Sequence, residues 1–456
     1  MHASILGRRP RSLVTLVAPV IVIGLTAAAH GFTAETLLAA SPAAPTQAAP
    51  AQAPAAPATP DTWESRSRSG EAAGRSVTAD LSPEASILWL RALAATETAL
   101  DELTGASALP PRILPTRQVL FFTDDADFRR VLQTTYGQEL SGDDVVRFDV
   151  GSQQTLAAVV PADEDVAAGA ARVLPIAGAQ WLERWFQADL PPALDAGLEL
   201  FLADTTFVGD RPMFGRARAE TLIPAQVIAR DRTPNLFGLL SLDDEGWSGL
   251  TAEERADGTL AIWSMLQFAA GDDGGGMRRG LRAFLRAVNA GSLPADALQA
   301  TFATADAAAL QSQWRRWIER AIPDPITVAM PRVEALIDGL AMLSAEGISP
   351  KHLDEAAAEL SGRNFVWESV RWGEPQRLAI TGPDVFVLPE DTRTGRRARI
   401  DLDPGRITTP RSSRPAADGP VAPPRIRVRG LARGTVQVEW EQQADGTFAA
   451  EVKLTR

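Results

Sequence analysis

Residues 172–206, RVLPIAGAQWLERWFQADLPPALDAGLELFLADTT, read as a helix, a turn at Pro191-Pro192 and a second helix. In the first, Val173, Ile176, Ala177, Gln180, Trp181 and Trp185 recur at the i, i+3, i+4 spacing of a single buried face. In the second, Leu194, Leu198, Phe201 and Leu202 do the same. Two short apolar helices joined by a tight proline turn bury those faces at the centre of a domain. The periodicity alone therefore predicts a helical-hairpin core, around which the rest of the chain is arranged.

The segments ahead of the hairpin alternate in type. Ser82-Pro83-Glu84 places an N-cap before a proline at the first helical position, which predicts a helix over 81–103. QVLFFT at 118–123 is strongly β-forming, 125–136 reads as a helix, and 147–149 and 155–160 read as strands. Behind the hairpin, Thr251-Ala-Glu-Glu has the spacing of a capping box and opens a helix through residue 270. Amphipathic helices are expected over 277–290 and 306–321. The six residues from Gly271, GDDGGG, read as a flexible loop between helices, because no G-K-[ST] follows them. Residues 323–331 read as a proline-punctuated joint, followed by helices over 333–345 and 350–360. From Asn364 the pattern turns to strands, among them 385–388, and ends in a hairpin around Asp445-Gly446 with Val436, Val438 and Trp440 alternating in phase.

The hairpin resembles the metal-binding helix pair of gluzincin-type zinc metallopeptidases. There, one helix carries H-E-x-x-H, and a second, opening W-L-x-E-G-x-A-E-Y, supplies the third zinc ligand. The resemblance is to an uncharacterised bacterial branch of peptidase-like proteins, in which a doubled proline precedes the second motif. Pro191-Pro192-Ala193-Leu194-Asp195-Ala196-Gly197 matches that second helix. The resemblance covers about residues 81–322 and is specific at the hairpin. It implies a small sheet ahead of the hairpin, with an edge strand lining the cleft.

On that pattern Ile176 and Gln180 take the two histidine positions, Ala177 the general-base position, and Ala196 the ligand-glutamate position. A catalytic zinc takes three protein ligands drawn from imidazole, thiolate or carboxylate. Ile and Ala donate nothing, and an amide is a poor ligand. The chain has no cysteine, and its three histidines, His2, His30 and His352, lie elsewhere. No metal or other cofactor is expected. Trp181, Asp195 and Glu199 are the candidate lining of a remnant cleft.

Arg8, Arg9 and Arg11 precede an apolar run at 13–29 ending in small residues, the pattern of an export signal or membrane anchor within 1–38. Residues 39–60 are uncharged and rich in Ala and Pro, and with the polar stretch to residue 80 they read as a flexible linker, 39–80. A formal charge of −12 argues against nucleic acid as a partner.

No G-x-S-x-G elbow occurs. The expected architecture is α+β: a mainly helical metallopeptidase-like domain with a small N-terminal sheet at 81–322, and a C-terminal helix pair and β-rich region at 323–456. The functional expectation is a non-catalytic, exported envelope protein that binds peptide or protein or serves as a scaffold, touching membrane through its N-terminal segment only. Two alternatives stay open: a hydrolase using carboxylates in the old cleft, and a purely structural envelope protein.

Overall fold

The computed structural model describes residues 62–455, apart from 73–74, 111–115, 139–143, 151–152, 162–165, 303, 370–375, 392–395, 404–420 and 432–433. The expected export segment and the Ala/Pro-rich stretch lie outside those residues. Among the described residues no helix is long and apolar enough to cross a membrane.

The chain opens with a single helical turn, α1 (Trp63–Arg66), and an antiparallel strand pair, β1 (Arg68–Ala72) and β2 (Arg75–Ala79). Helix α2 (Pro83–Thr104) follows, started by the Ser82 hydroxyl, which accepts from the Ala85 N–H, and stopped by Gly105 at φ +63°. Then come β3 (Thr116–Phe122), α3 (Asp125–Tyr136, capped by Asp124), β4 (Val145–Val150) and β5 (Gln153–Val159). The five strands form one sheet in the order β1-β2-β3-β5-β4, with β2, β3 and β5 parallel and β4 antiparallel at one edge.

Alternation along the strands sorts the sheet into two faces. Leu120, Phe122, Ala157 and Val159 meet α3 and Trp63 on one side. Val77, Ala79, Val119, Phe121, Leu156 and Ala158 belong to the main core on the other. That core is built from α2, α4 (Val166–Leu182) and α5 (Pro192–Ala203), the helices of the proline-turn hairpin.

A short ribbon follows, β6 (Thr206–Val208) with β7 (Arg211–Met213). Then a run of helices closes the core: α6 (Ala219–Asp231), α7 (Leu236–Leu240), α8 (Asp244–Ser248), α9 (Ala252–Ala270), α10 (Gly275–Asn289), α11 (Pro294–Thr301) and α12 (Thr304–Ile318). The capping box at Thr251 forms as its spacing requires: Glu254 N–H donates to the Thr251 hydroxyl, and the Thr251 N–H to the Glu254 carboxylate. Helix α9 is the central member, with Ile262, Trp263, Met265 and Leu266 inaccessible to solvent. Two long helices, α13 (Pro325–Ala345) and α14 (Leu353–Gly362), lead to the β-rich end. There β8 (Val366–Ser369) pairs with β9 (Gln376–Ala379), β10 (Glu390–Asp391) with β11 (Arg396–Arg397), and β12 (Arg399–Asp403), β13 (Arg425–Leu431), β14 (Gly434–Gln442) and β15 (Phe448–Thr455) form an antiparallel meander. Helix supplies 55% and strand 21% of the structure, with a small N-terminal sheet and a C-terminal β-rich region on either side of the main run of helices, an α+β arrangement.

Five expectations change. Residues 62–80 belong to the fold rather than to a linker, because β2 pairs with β3 from Arg75↔Arg117 to Ala79↔Phe121 and buries Val77 and Ala79. Residues 325–345 are one helix with Pro331 inside it, not a joint and a helix; Met330 and Val333 on either side of that proline are fully buried, and their packing outweighs the lost backbone bond. The separation at 322/323 is likewise not a boundary, since residues 60–456 form one compact unit and α13 contributes to the main core. Residues 383–386 form a 3-10 turn where a strand was expected over 385–388. Finally, the stretch from Gly271 is a close-packed turn: a β-carbon at Gly274 would overlap the Phe268 carbonyl, so that turn requires glycine and is not a slack loop.

Candidate functional site

Helices α4 and α5 are neighbours, as the hairpin reading requires, and small residues set how closely they approach. A β-carbon on Gly178 would overlap Leu202 of α5 and press on Leu100 of α2. One on Gly197 would overlap Ile262 of α9. The two glycines thus let α5 sit against α4 and α9 at once. Gly178 and Gln180 are separated by two steps of about 100° around α4, so the face meeting Leu202 and the face carrying Gln180 are different.

Gln180 points to the sheet. Its carboxamide Nε2 donates to the Gln154 carbonyl at 3.1 Å, and the residue is 1% exposed. A polar group that deep needs a partner, and this one is supplied by the second residue of β5. Ala177 beside it is 3% exposed and part of the apolar core, whereas Ile176 and Ala196 are half-buried. Gln180 is therefore a structural strut between helix and sheet, and Ala177 is core. Among the described residues, no group of three or more His, Cys, Asp or Glu side chains is placed to hold a metal ion.

Trp181 is buried and meets Trp185 edge-on, ring centres 5.9 Å apart, with the Arg184 guanidinium 5.4 Å from the Trp185 ring. Asp195 and Glu199 are one turn apart on the exposed side of α5. The surrounding protein, and then Asp195, push the Glu199 carboxyl above the usual glutamate range.

Two features of this neighbourhood carry no motif. The first is the end of α4, where Glu183 pairs with Arg147 of β4 at 2.7 Å and approaches the Gln154 amide at 3.4 Å, so the helix is tied to the edge strand β4 and to its neighbour β5. The second is Asp204 at the end of α5. It is 4% exposed, accepts from the Thr221 hydroxyl at 2.9 Å, and lies 3.9 Å from Arg218. Burial pushes its carboxyl up to about 7 against the opposing pull of Arg218 and Thr221. A single Asp after an apolar helix gives no signal of that in sequence, since Arg218 and Thr221 reach it across the β6–β7 ribbon.

The outer strand β4 completes the neighbourhood. The Val159 N–H donates to the Asp144 carbonyl at 2.8 Å, and Val145 lies opposite Ala158. By antiparallel alternation the backbone groups of Val145, Arg147 and Asp149 therefore point away from β5, toward the open edge of the sheet.

No protein-family model matches this sequence. No curated protein matches it either.

Proposed function

We propose that this chain is a non-catalytic, metallopeptidase-like protein of the cell envelope that binds an extended peptide segment by strand addition along β4. The observation that supports it most is the fastening of α4 to the strand beside that edge. Gln180, at the second histidine position of the gluzincin pattern, is committed to the Gln154 carbonyl. Ile176, Ala177 and Ala196 bring no donor to the other positions. What such a scaffold keeps without its chemistry is the edge: a row of backbone groups on Val145, Arg147 and Asp149 ready to pair with another chain. The order of the sheet, with an antiparallel strand at the edge beside the hairpin, agrees with the resemblance. The charged and apolar N-terminus followed by an Ala/Pro-rich stretch supports export and tethering.

The hydrolase alternative draws less support. Asp195 and Glu199 are solvent-facing, and among the described residues the strongly raised carboxyl, Asp204, sits at the far end of α5.

The test combines metal analysis with binding. Protein purified from zinc-supplemented medium is expected to carry no stoichiometric zinc, and chelator is expected to leave its melting temperature unchanged. A fluorescein-labelled pool of random nonapeptides is expected to bind, and Asp149→Pro to weaken that binding, because proline removes an edge N–H that β5 does not use. Stoichiometric zinc with peptide hydrolysis would overturn the proposal, as would peptide binding indifferent to Asp149→Pro.

A further inference from the structure

A second site lies away from β4, where the helical core meets the β-rich end. A cavity of about 260 Å³ opens between β6, the start of α6, the first half of α13 and the β8–β9 pair. That volume exceeds the roughly 150 Å³ that accommodates benzene in an apolar cavity. Its walls divide by chemistry. Trp367, Val328 and Leu378 form an apolar side, and Trp367 is 4% exposed, so only part of its surface faces the opening. The opposite side carries Arg218, Arg332 and Thr206.

Three observations give that polar side a preference. The Thr206 hydroxyl is buried, the residue 1% exposed, and it has no hydrogen-bond partner. Hydroxyls that deep are almost always bonded, and this one lines an open volume. Arg332 is fixed by two carbonyls, donating Nε to Val385 and Nη1 to Val328, both at 2.7 Å, and no carboxylate pairs with it among the described residues. Its guanidinium is thereby oriented without being neutralised. Helix α6, which begins at Ala219 on the cavity wall, adds the partial positive charge of its N-terminus.

The acids nearby limit how much negative charge the site can take. Glu220 stands at the rim, 3.7 Å from Arg218, Asp204 lies behind Arg218, and Glu368 pairs with Arg377 at 3.3 Å. Three acids offset three arginines in formal charge, but all three lie against Arg218 or Arg377; what stays uncompensated at the wall is Arg332 with the N-terminus of α6 beside it, which suits one negative charge rather than two. We propose that the cavity binds a small organic carboxylate, its carboxylate held by Arg332, Arg218 and the Thr206 hydroxyl, its apolar portion lying against Trp367. A planar carboxylate matches the guanidinium fork, and an apolar tail of ring size matches the volume. This site is independent of the β4 edge and of any peptide bound there.

Benzoate and 4-methylpentanoate are the probes, with benzamide and 4-methylpentanamide as uncharged counterparts and inorganic phosphate as the competing anion. Titration calorimetry on the full chain is expected to show one carboxylate bound per protein, and thermal denaturation a rise that grows with its concentration. The amides are expected to bind at least about tenfold more weakly, since they lose the charge-assisted bonds. Thr206→Val removes the unpartnered hydroxyl at constant shape and is expected to weaken carboxylate binding while keeping the unliganded melting temperature. Arg332→Gln is expected to abolish it, and Val328→Phe, which fills the volume and leaves every charge in place, to do the same if the variant melts as cooperatively as the parent. Equal binding of acids and amides, phosphate binding as tightly as benzoate, no carboxylate binding at millimolar concentration, or full binding to a folded Val328→Phe protein would each overturn the assignment.

Discussion

Gln180 of α4 and Gln154 of β5 are joined by a 3.1 Å hydrogen bond from carboxamide to backbone carbonyl, at a site where Gln180 is 1% exposed. The bond crosses from helix layer to sheet next to the edge strand. Replacing Gln180 with Leu keeps the bulk and removes the donor. A loss of about 1–3 kcal/mol is expected, the usual effect of stranding a buried polar group. Urea denaturation reads it, and an unchanged midpoint would mean that the carbonyl is satisfied without Gln180.

The four positions aligned with the gluzincin pattern are not equally free to accept ligand-type residues. Ala177→Glu forces a carboxylate into a position that is 3% exposed and surrounded by the main core. Overpacking and an unpaired buried charge are expected to cost at least about 3 kcal/mol together. Ala196→Glu, at a half-buried position on α5, is expected to stay within about 1 kcal/mol of the parent. Equal tolerance at both positions would show that Ala177 faces open space rather than packed core.

What could be read in the sequence followed from pattern and caps. Helix α3 runs over Asp125–Tyr136 as its spacing predicts, because Asp124 caps it and Gly137 at φ +65° ends it. The hairpin follows from the periodicity around Pro191-Pro192. The pairing of β2 with β3 could not be read, because RSVTA offers only Val77 as a large apolar residue and its neighbour Arg75 argues for solvent. The arginine is nonetheless buried, since α2, the helix that follows, folds back over the sheet and brings Glu97 to it. The cavity at Arg332 was hidden for a similar reason: Pro331 read as a break, and the helix it lies in became visible only once Met330 and Val333 had a core to enter.

That glutamate supports the next prediction. Glu97 pairs with both Arg75 and Arg117, which are 3% and 4% exposed and adjacent across β2 and β3. Burial, with Arg117 alongside, brings the Arg75 guanidinium down to about 9. Glu97→Gln leaves two buried cations without their shared anion, and about 3–5 kcal/mol of destabilisation is expected. Arg75→Leu in the Glu97→Gln background is expected to recover part of it, and a double-mutant cycle measures the coupling. A mild effect of Glu97→Gln would show that the arginines find other partners.

Gly274 gives a steric prediction. A β-carbon there would overlap backbone atoms of Phe268 and Ala269, which cannot swing aside as a side-chain tip can. Gly274→Ala is therefore expected to cost about 1–3 kcal/mol, whereas Gly70→Ala in β1, where nothing lies within 4 Å of the added carbon, is expected to stay within about 0.5 kcal/mol. Comparable midpoints for the two variants would return the 271–276 stretch to the status of a slack loop.

Asp204 makes stability depend on pH in a direction opposite to that of most carboxylates. Its folded carboxyl sits at about 7, raised from 3.8 chiefly by burial. Between those values the folded state holds a proton that the unfolded state releases, so stability is lost as pH rises through that window. At about 1.4 kcal/mol for each tenfold change in proton affinity, the loss approaches about 4 kcal/mol by pH 7 and is absent below the unfolded value. Asp204→Asn removes the titration while keeping an acceptor for the Thr221 hydroxyl. Denaturation midpoints followed from pH 4 to 8 are expected to fall more steeply in the parent than in Asp204→Asn, with the two curves converging at the acid end. Parallel curves would show that the carboxyl is ionised throughout, held so by Arg218 at 3.9 Å.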